Sequence, residues 1–257
     1  MRKKCLFPII SVLLILFTTY GKAGATREAF AQAQKLPISS LQSPGTENDV
    51  LDFEWIYNQP TSSNYTTAIA SQELPDFPIY STYLADDFYV DGGWLIDEIF
   101  VPGGGWSGFT TLMNATSLNW KIYADDDGFP AGYPSDESTC VWSFSVAPSY
   151  SGVTIYDSVG GEQASTLLEL PSPLQLTTGR YWFVYYPVLN LNPDGRFGLM
   201  PSESMNGHMV KAINPNGGHG HGTEWQDWSE FGGITRDFAF SFGGEVMEKT
   251  FLPLIIN

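Results

Sequence analysis

Asp237-Phe238-Ala239-Phe240-Ser241-Phe242 decides the fold class. Phe238, Phe240 and Phe242 recur at every second position with small or polar residues between them. That is the period of a β-strand, whose side chains alternate between faces. A helix would scatter the three rings around its circumference. One face of this strand is therefore expected in a core, the other in water or under thin cover. Leu118, Trp120 and Ile122 repeat the pattern, with Asn119 and Lys121 facing away.

Outward from these two segments, the chain after Asp52 reads as short aromatic and β-branched runs separated by Gly, Pro, Asn and Asp. The runs predict strands over Phe53–Tyr57, Tyr83–Val90, Leu95–Val101, Ser117–Tyr123, Cys140–Val146, Val153–Ser158, Ser165–Leu170, Arg180–Tyr186, His208–Ile213 and Asp237–Phe242. No stretch of about a dozen residues keeps a helical period there. About ten strands with loops of roughly five to fifteen residues suit an all-β fold: an antiparallel two-sheet sandwich of jelly-roll type. One domain over residues 51–245 is the simplest organisation, because no repeat and no Pro/Ser-rich linker interrupts it.

The ends of the chain read differently. Arg2, Lys3 and Lys4 precede an apolar run from Phe7 to Phe17, and Ala23-Gly24-Ala25 supplies the small residues of a cleavage site. The run is shorter than the roughly 20 apolar residues that span a bilayer. Residues 1–25 are expected to be a secretory signal peptide, with the exported chain starting near Thr26. Residues 26–50 are polar, lack aromatics after Phe30 and read as a flexible leader, with a short helix possible over Arg27–Lys35. Residues 246–257 form an apolar tail ending Phe251-Leu252-Pro253-Leu254-Ile255-Ile256-Asn257, read either as a last edge strand or as an export or anchoring tag.

Removing residues 1–25 takes four of the 12 basic residues and none of the 28 acidic ones, so the exported chain carries eight basic residues against 28 acidic, a charge of −20. Such a surface disfavours nucleic acid and anionic lipid, which require clustered Lys and Arg. It suits a protein kept soluble by charge outside the cell, and it leaves divalent cations as partners. Charged residues are only 16% of the chain and aromatics 15%, so there is ample apolar surface for a core. Cys5 departs with the signal and leaves Cys140 alone, so no internal disulfide forms. In Cys140-Val141-Trp142-Ser143-Phe144 the cysteine is expected on the face of Trp142 and Phe144, buried and inert.

Three stretches carry chemistry. Asp125, Asp126 and Asp127, closed by Gly128, can offer the hard oxygens that calcium takes in sets of roughly six to eight. The same residues can instead form a turn by bonding their own backbone. Glu224, Asp227 and Glu230 surround Trp225 and Trp228, an acid-and-aromatic cluster that suits sugar binding, with glycoside cleavage as the alternative. His219-Gly220-His221 has two metal-ligating side chains without a fixed third. No nucleophile elbow and no His-Glu-x-x-His helix occurs. No cofactor is expected beyond calcium.

Ala85-Asp86-Asp87-Phe88 ahead of Trp94–Ile99, the segment Ile122–Ala131, Leu176-Thr177-Thr178-Gly179-Arg180-Tyr181-Trp182-Phe183, the Gly-rich Asn214–Thr223 before Trp225, and the closing Asp237–Phe240 follow one another in an informative order. Over about residues 50 to 243 that order resembles a loosely defined group of secreted bacterial jelly-roll-like β-sandwich domains. The resemblance implies the sandwich and a secreted or cell-surface location, and it carries no catalytic residues. It also implies that the acceptor patterns Asn64-Tyr65-Thr66 and Asn114-Ala115-Thr116 go unused. The sequence thus leads to a noncatalytic surface or binding module with carbohydrate, or another cell-surface component, as its ligand. A secreted glycoside hydrolase using the acids near Trp225, or a purely structural envelope or matrix protein, are the alternatives.

Overall fold

Phe88 and Trp94 lie six positions apart on one strand, yet their rings stack with centroids 5.9 Å apart. A straight strand would separate them by about 20 Å. The strand therefore folds back on itself, and the rest of the architecture follows from that bend.

The structure is a computed structural model and describes residues 55–247 except 65, 66, 159, 160, 221, 232 and 234. The expected signal peptide (1–25), the leader (26–50) with its Arg27–Lys35 helix, and residues 248–257 of the tail lie outside the described residues. The described chain is all-β. Its strands are β1 (Trp55–Gln59), β2 (Ile69–Ala70), β3 (Tyr83–Val101), β4 (Gly103–Trp106), β5 (Ser117–Asp126), β6 (Phe129–Pro130) and β7 (Trp142–Val146). They continue as β8 (Val153–Asp157), β9 (Ala164–Val188), β10 (Arg196–Leu199), β11 (Lys211–Ile213), β12 (Gln226–Asp227) and β13 (Phe240–Val246). Helix among the described residues is confined to short 3-10 turns, and none is long and apolar enough to cross a membrane.

Ten strands belong to one antiparallel sheet, and β2, β10 and β4 form a second. The large sheet makes both layers of the sandwich because β3 and β9 run through each. The first half of β3 pairs with β11 on one side and the second half of β9 on the other, and β9 there pairs with β5, which carries β7. The second half of β3 pairs with β13 and with the first half of β9, which carries β8, while β1 closes on β13. The register slips between Val90 and Gly93, and Gly92 has φ 87, a left-handed backbone suited to glycine. A second slip leaves Pro171 and Pro173 in a bulge of β9, where their missing N–H groups break no ladder bond.

Between the layers lies the main core. Phe183 of the first layer meets Phe240 of the second at 5.0 Å, and Phe88 meets Phe242 at 4.8 Å. Ile69, Phe197 and Leu199 of the small sheet join the same core. The predicted break between Tyr83–Val90 and Leu95–Val101, and that between Ser165–Leu170 and Arg180–Tyr186, are bends and bulges inside single long strands. The Gly103-Gly104-Gly105-Trp106 segment, whose composition suggests a turn, is strand β4. The Phe197 ring lies 2.4 Å from where a Cβ on Gly103 would sit, and Phe109 lies 2.0 Å from one on Gly105, so only glycine lets the backbone pass.

Of the two expected states of the second sheet face, wet or covered, the structure shows the covered one. Asn119 and Lys121 are buried, as are Asp237, Ala239 and Ser241. Loops cover these faces, and over β5 the Lys121 ammonium donates to the Pro134 carbonyl and pairs with Glu137. A second core results on the outer face of the first layer: Tyr83, Ala85, Tyr123, Trp182, Val184, Tyr186, Ile213 and Trp225. Cys140 also departs from expectation. β7 begins at Trp142, and Cys140 ends the 3-10 turn Glu137–Thr139. The half-buried thiol packs on the outer core, whereas Trp142 and Phe144 pack on the main one. Burial pushes the thiol pKa up, against the Tyr123 hydroxyl and Lys121.

Phe240→Ala should cost about 3–5 kcal/mol, because five aromatic rings line the cavity it leaves. Tyr89→Ala, on the same sheet but 53% exposed, should change stability by no more than about 0.5 kcal/mol. Urea unfolding checks both, and equal losses would contradict the layering.

Candidate functional site

Trp182 organises the outer face. Phe183 points into the main core, so the pleat turns Trp182 the other way, where its ring is fully buried by covering segments. Its indole N–H donates to Asp125 Oδ1 at 2.7 Å. The His208 ring stacks over it, with centroids 6.0 Å apart and planes 21° apart. Lys211 of β11 places its Nζ 5.8 Å from the Trp182 centroid and 4.4 Å from that of Phe129. The same ammonium pairs with Asp227 of β12. An ammonium over two aromatic faces gains from their negative quadrupoles, and here it fixes the exposed Phe129 ring from below.

Asp86 and Asp87, adjacent on β3, face opposite sides of the sheet. Asp87 reaches the outer face, where it pairs with Arg180 of β9 and accepts the His208 backbone N–H at 2.7 Å. Gly207, with φ 81, carries the chain across this pair. A Cβ there would lie 2.3 Å from both Asp87 Oδ2 and Arg180 Nη1. His208 is thus delivered onto Trp182 by a glycine crossing a part-buried ion pair.

Asp125–Asp127 form a hairpin turn. Asp126 pairs with Phe129 across β5 and β6, and the intervening Asp127 and Gly128 have φ 52 and 86. Two central residues with positive φ, as Asp-Gly, make the tight type I′ connection that matches strand twist. Asp125 spends one oxygen on the Trp182 indole and the other on the Gly128 N–H at 3.4 Å. Asp126 and Asp127 project into solvent. Among the described residues no three His, Cys, Asp or Glu side chains group to hold a metal. The turn abuts His208, whose ring comes within 3.3 Å of where a Cβ on Gly128 would sit.

Trp225 and Trp228 do not form a shared platform. Trp225 is 7% exposed in the outer core and donates its indole N–H to the Gly132 carbonyl at 2.7 Å. Trp228 is half-buried against the main core and stacks on Phe231. Of the acids around them, Asp227 is paired with Lys211 and Glu224 accepts from the Tyr133 hydroxyl. That bond raises the Tyr133 pKa. Glu230 lies exposed in the 3-10 turn Trp228–Phe231. His219 packs near Tyr80, and His221 lies outside the described residues. The aromatics this face presents to solvent are Phe129, 40% exposed, and Tyr133, 38% exposed.

Composition and motif spacing did not bring out Phe129, His208, Lys211 or Trp182. Two signals were available: the Asp-Gly dipeptide, which places Phe129 at the foot of a hairpin, and a Trp alternating with a core Phe, which demands a cover. Comparison with known protein families, with curated proteins and with solved structures finds no match to this chain.

Asp125→Ala should cost about 1–3 kcal/mol, since it leaves the buried Trp182 indole without its acceptor. Asp126→Ala, one residue on and exposed, should stay within about 0.5 kcal/mol. Equal effects on the urea midpoint would contradict the turn assignment.

Proposed function

We propose that the protein is a secreted or cell-surface, noncatalytic binding module that takes a carbohydrate on the surface centred on Phe129. One observation carries this reading. Phe129 is exposed on a two-residue hairpin and pinned from beneath by Lys211, with Asp126 directly across the hairpin from it and the Asp227 carboxylate held on the same Lys211 ammonium. A sugar ring presents an apolar C–H face and a rim of hydroxyls. The first stacks on an immobilised aromatic ring, and the second donate to carboxylates. Because the ring is already ordered, little side-chain entropy is lost on binding.

The charge supports the choice of ligand. A chain with 28 acidic and 12 basic residues repels polyanions, which leaves neutral or cationic ligands for this face.

A glycan array probed with the purified chain, in calcium and in chelator, should give binders. Phe129→Ala should weaken the best of them at least about tenfold, roughly 1.4 kcal/mol, with the melting temperature unchanged. An array without a signal above background, or a Phe129→Ala variant of undiminished affinity, would overturn the reading.

A further inference from the structure

The two layers differ in what lies over them. The outer face of the first carries a core of its own beneath loops. The outer face of the second carries three half-buried rings that belong to no core cluster: Trp55 of β1, Phe100 of β3 and Tyr156 of β8. Ile99 and Val101 are fully buried, so the pleat turns Phe100 outward between them. Its centroid lies 6.2 Å from that of Trp55 and 6.4 Å from that of Tyr156, and the three rings form a row across the strands. Aromatics gathered half-exposed on one sheet face mark an interaction surface.

The same layer holds charges that its own strands do not balance. Glu98 of β3 stands directly opposite Glu169 of β9, with Asp97 beside it in the chain. Like charges in that position repel. Burial and the charges of Asp97 and Glu169 raise the Glu98 pKa, and burial with Glu169 and Glu98 raises that of Tyr156, so both acids act on the ring row. No Lys or Arg occurs on β1, β8, β13 or the second-layer halves of β3 (93–101) and β9 (164–176), against Asp97, Glu98, Asp157, Glu169 and Glu245. Gly243 sets the direction of Glu98. It pairs with Trp55 on one side and Glu98 on the other, and Glu98 Oε2 lies 2.9 Å from where its Cβ would sit. The carboxylate therefore leans across Gly243 toward Trp55, and Phe100, two positions on along β3, flanks it.

Charge selects the occupant of this face. A second copy brings the same acids, and polyanions are repelled by a chain of 28 acidic and 12 basic residues. A neutral glycan matches the rings but leaves the opposed carboxylates unneutralised. A guanidinium or ammonium satisfies both, because a cation is attracted to aromatic faces and pairs with carboxylates. The planar guanidinium suits two acids on neighbouring strands best. We infer that this face docks a basic polypeptide segment of a partner protein, laid across β1, β13, β3 and β9, with an Arg or Lys side chain over Trp55 and Phe100 and against the Glu98 and Glu169 carboxylates. The surface lies on the opposite layer from Phe129, so it stands whether or not Phe129 binds a glycan.

An oligoarginine peptide titrated into the full chain at about 0.15 M ionic strength should bind and shift the NMR signals of the Trp55, Phe100 and Tyr156 rings. Glu98→Gln with Glu169→Gln should weaken that binding at least about fivefold. The melting temperature should not fall, because the change removes a repulsion. Glu203→Gln with Glu230→Gln makes the same charge change at exposed positions off this layer, and it should weaken binding by less than about twofold. Tyr156→Ala should weaken binding through the ring row alone, and should that variant fail to fold, the wild-type ring signals decide. Unmoved ring signals, equal losses in the two double variants, wild-type affinity in a folded Tyr156→Ala chain, tighter binding of a glucosamine oligomer or a neutral glycan than of the peptide, or dimerisation through this face would each overturn the proposal.

Discussion

The fold-back of β3 together with its partner β9 is the constraint on which the rest of this structure depends. The two strands pair in both layers, so the sandwich is one ribbon closed on itself. Glycine at 92 and 93, and the proline-bearing bulge of β9, let the ribbon bend while keeping its ladder. Rings from both halves then fill the space between: Phe88, Trp94 and Phe183, with Phe240 and Phe242 from β13. Without the bend, these rings would line a single long sheet with no partner layer, and their burial is the dominant favourable contribution.

The same ribbon makes the outer face. Once Leu84, Phe88 and Phe183 turn inward, the pleat sends Ala85, Asp87 and Trp182 outward, where the chain must cover them. Residues 131–140, 206–220 and 222–228 provide that cover, using Lys121, Asp87 and Trp225 as anchors. The proposed binding surface is the visible side of this cover. Phe129 is exposed because the hairpin ends there, and it is rigid because Lys211 beneath it is held by Asp227 and Trp182. Function on this reading grows from a packing requirement: a buried tryptophan on the outer face forces polar anchors into place around one free ring.

The fold class was legible in Phe238, Phe240 and Phe242 because a two-residue period has one cheap interpretation. Strand lengths were less so. Gly92-Gly93 and Leu170-Pro171-Ser172-Pro173 read locally as stops, and only the partner strand shows that pairing resumes beyond them. Gly103–Gly105 lay outside the predicted strands because the close approach of Phe197 and Phe109 that requires glycine there is a tertiary fact. Whether the faces of Asn119, Lys121 and Ser241 are wet or covered stayed open for a related reason, since alternation reveals which side is apolar but not whether a loop returns over the polar side. At the candidate site, the three aspartates were visible as a group. Their division into an indole acceptor, an exposed acid and a positive-φ turn residue depends on Trp182, some fifty-seven positions away. Trp225 and Trp228 were visible as aromatics near acids, whereas their burial required knowing that the segment serves as a cover.

The fold-back is tested most directly by a double-mutant cycle on Phe88 and Trp94, using Phe88→Leu, Trp94→Leu and the pair, with stability measured by urea unfolding. Rings stacked at 5.9 Å should show a coupling of about 0.5–1.5 kcal/mol. A coupling within error of zero would mean that β3 runs straight and keeps the two rings about 20 Å apart, and the sandwich described above would be wrong.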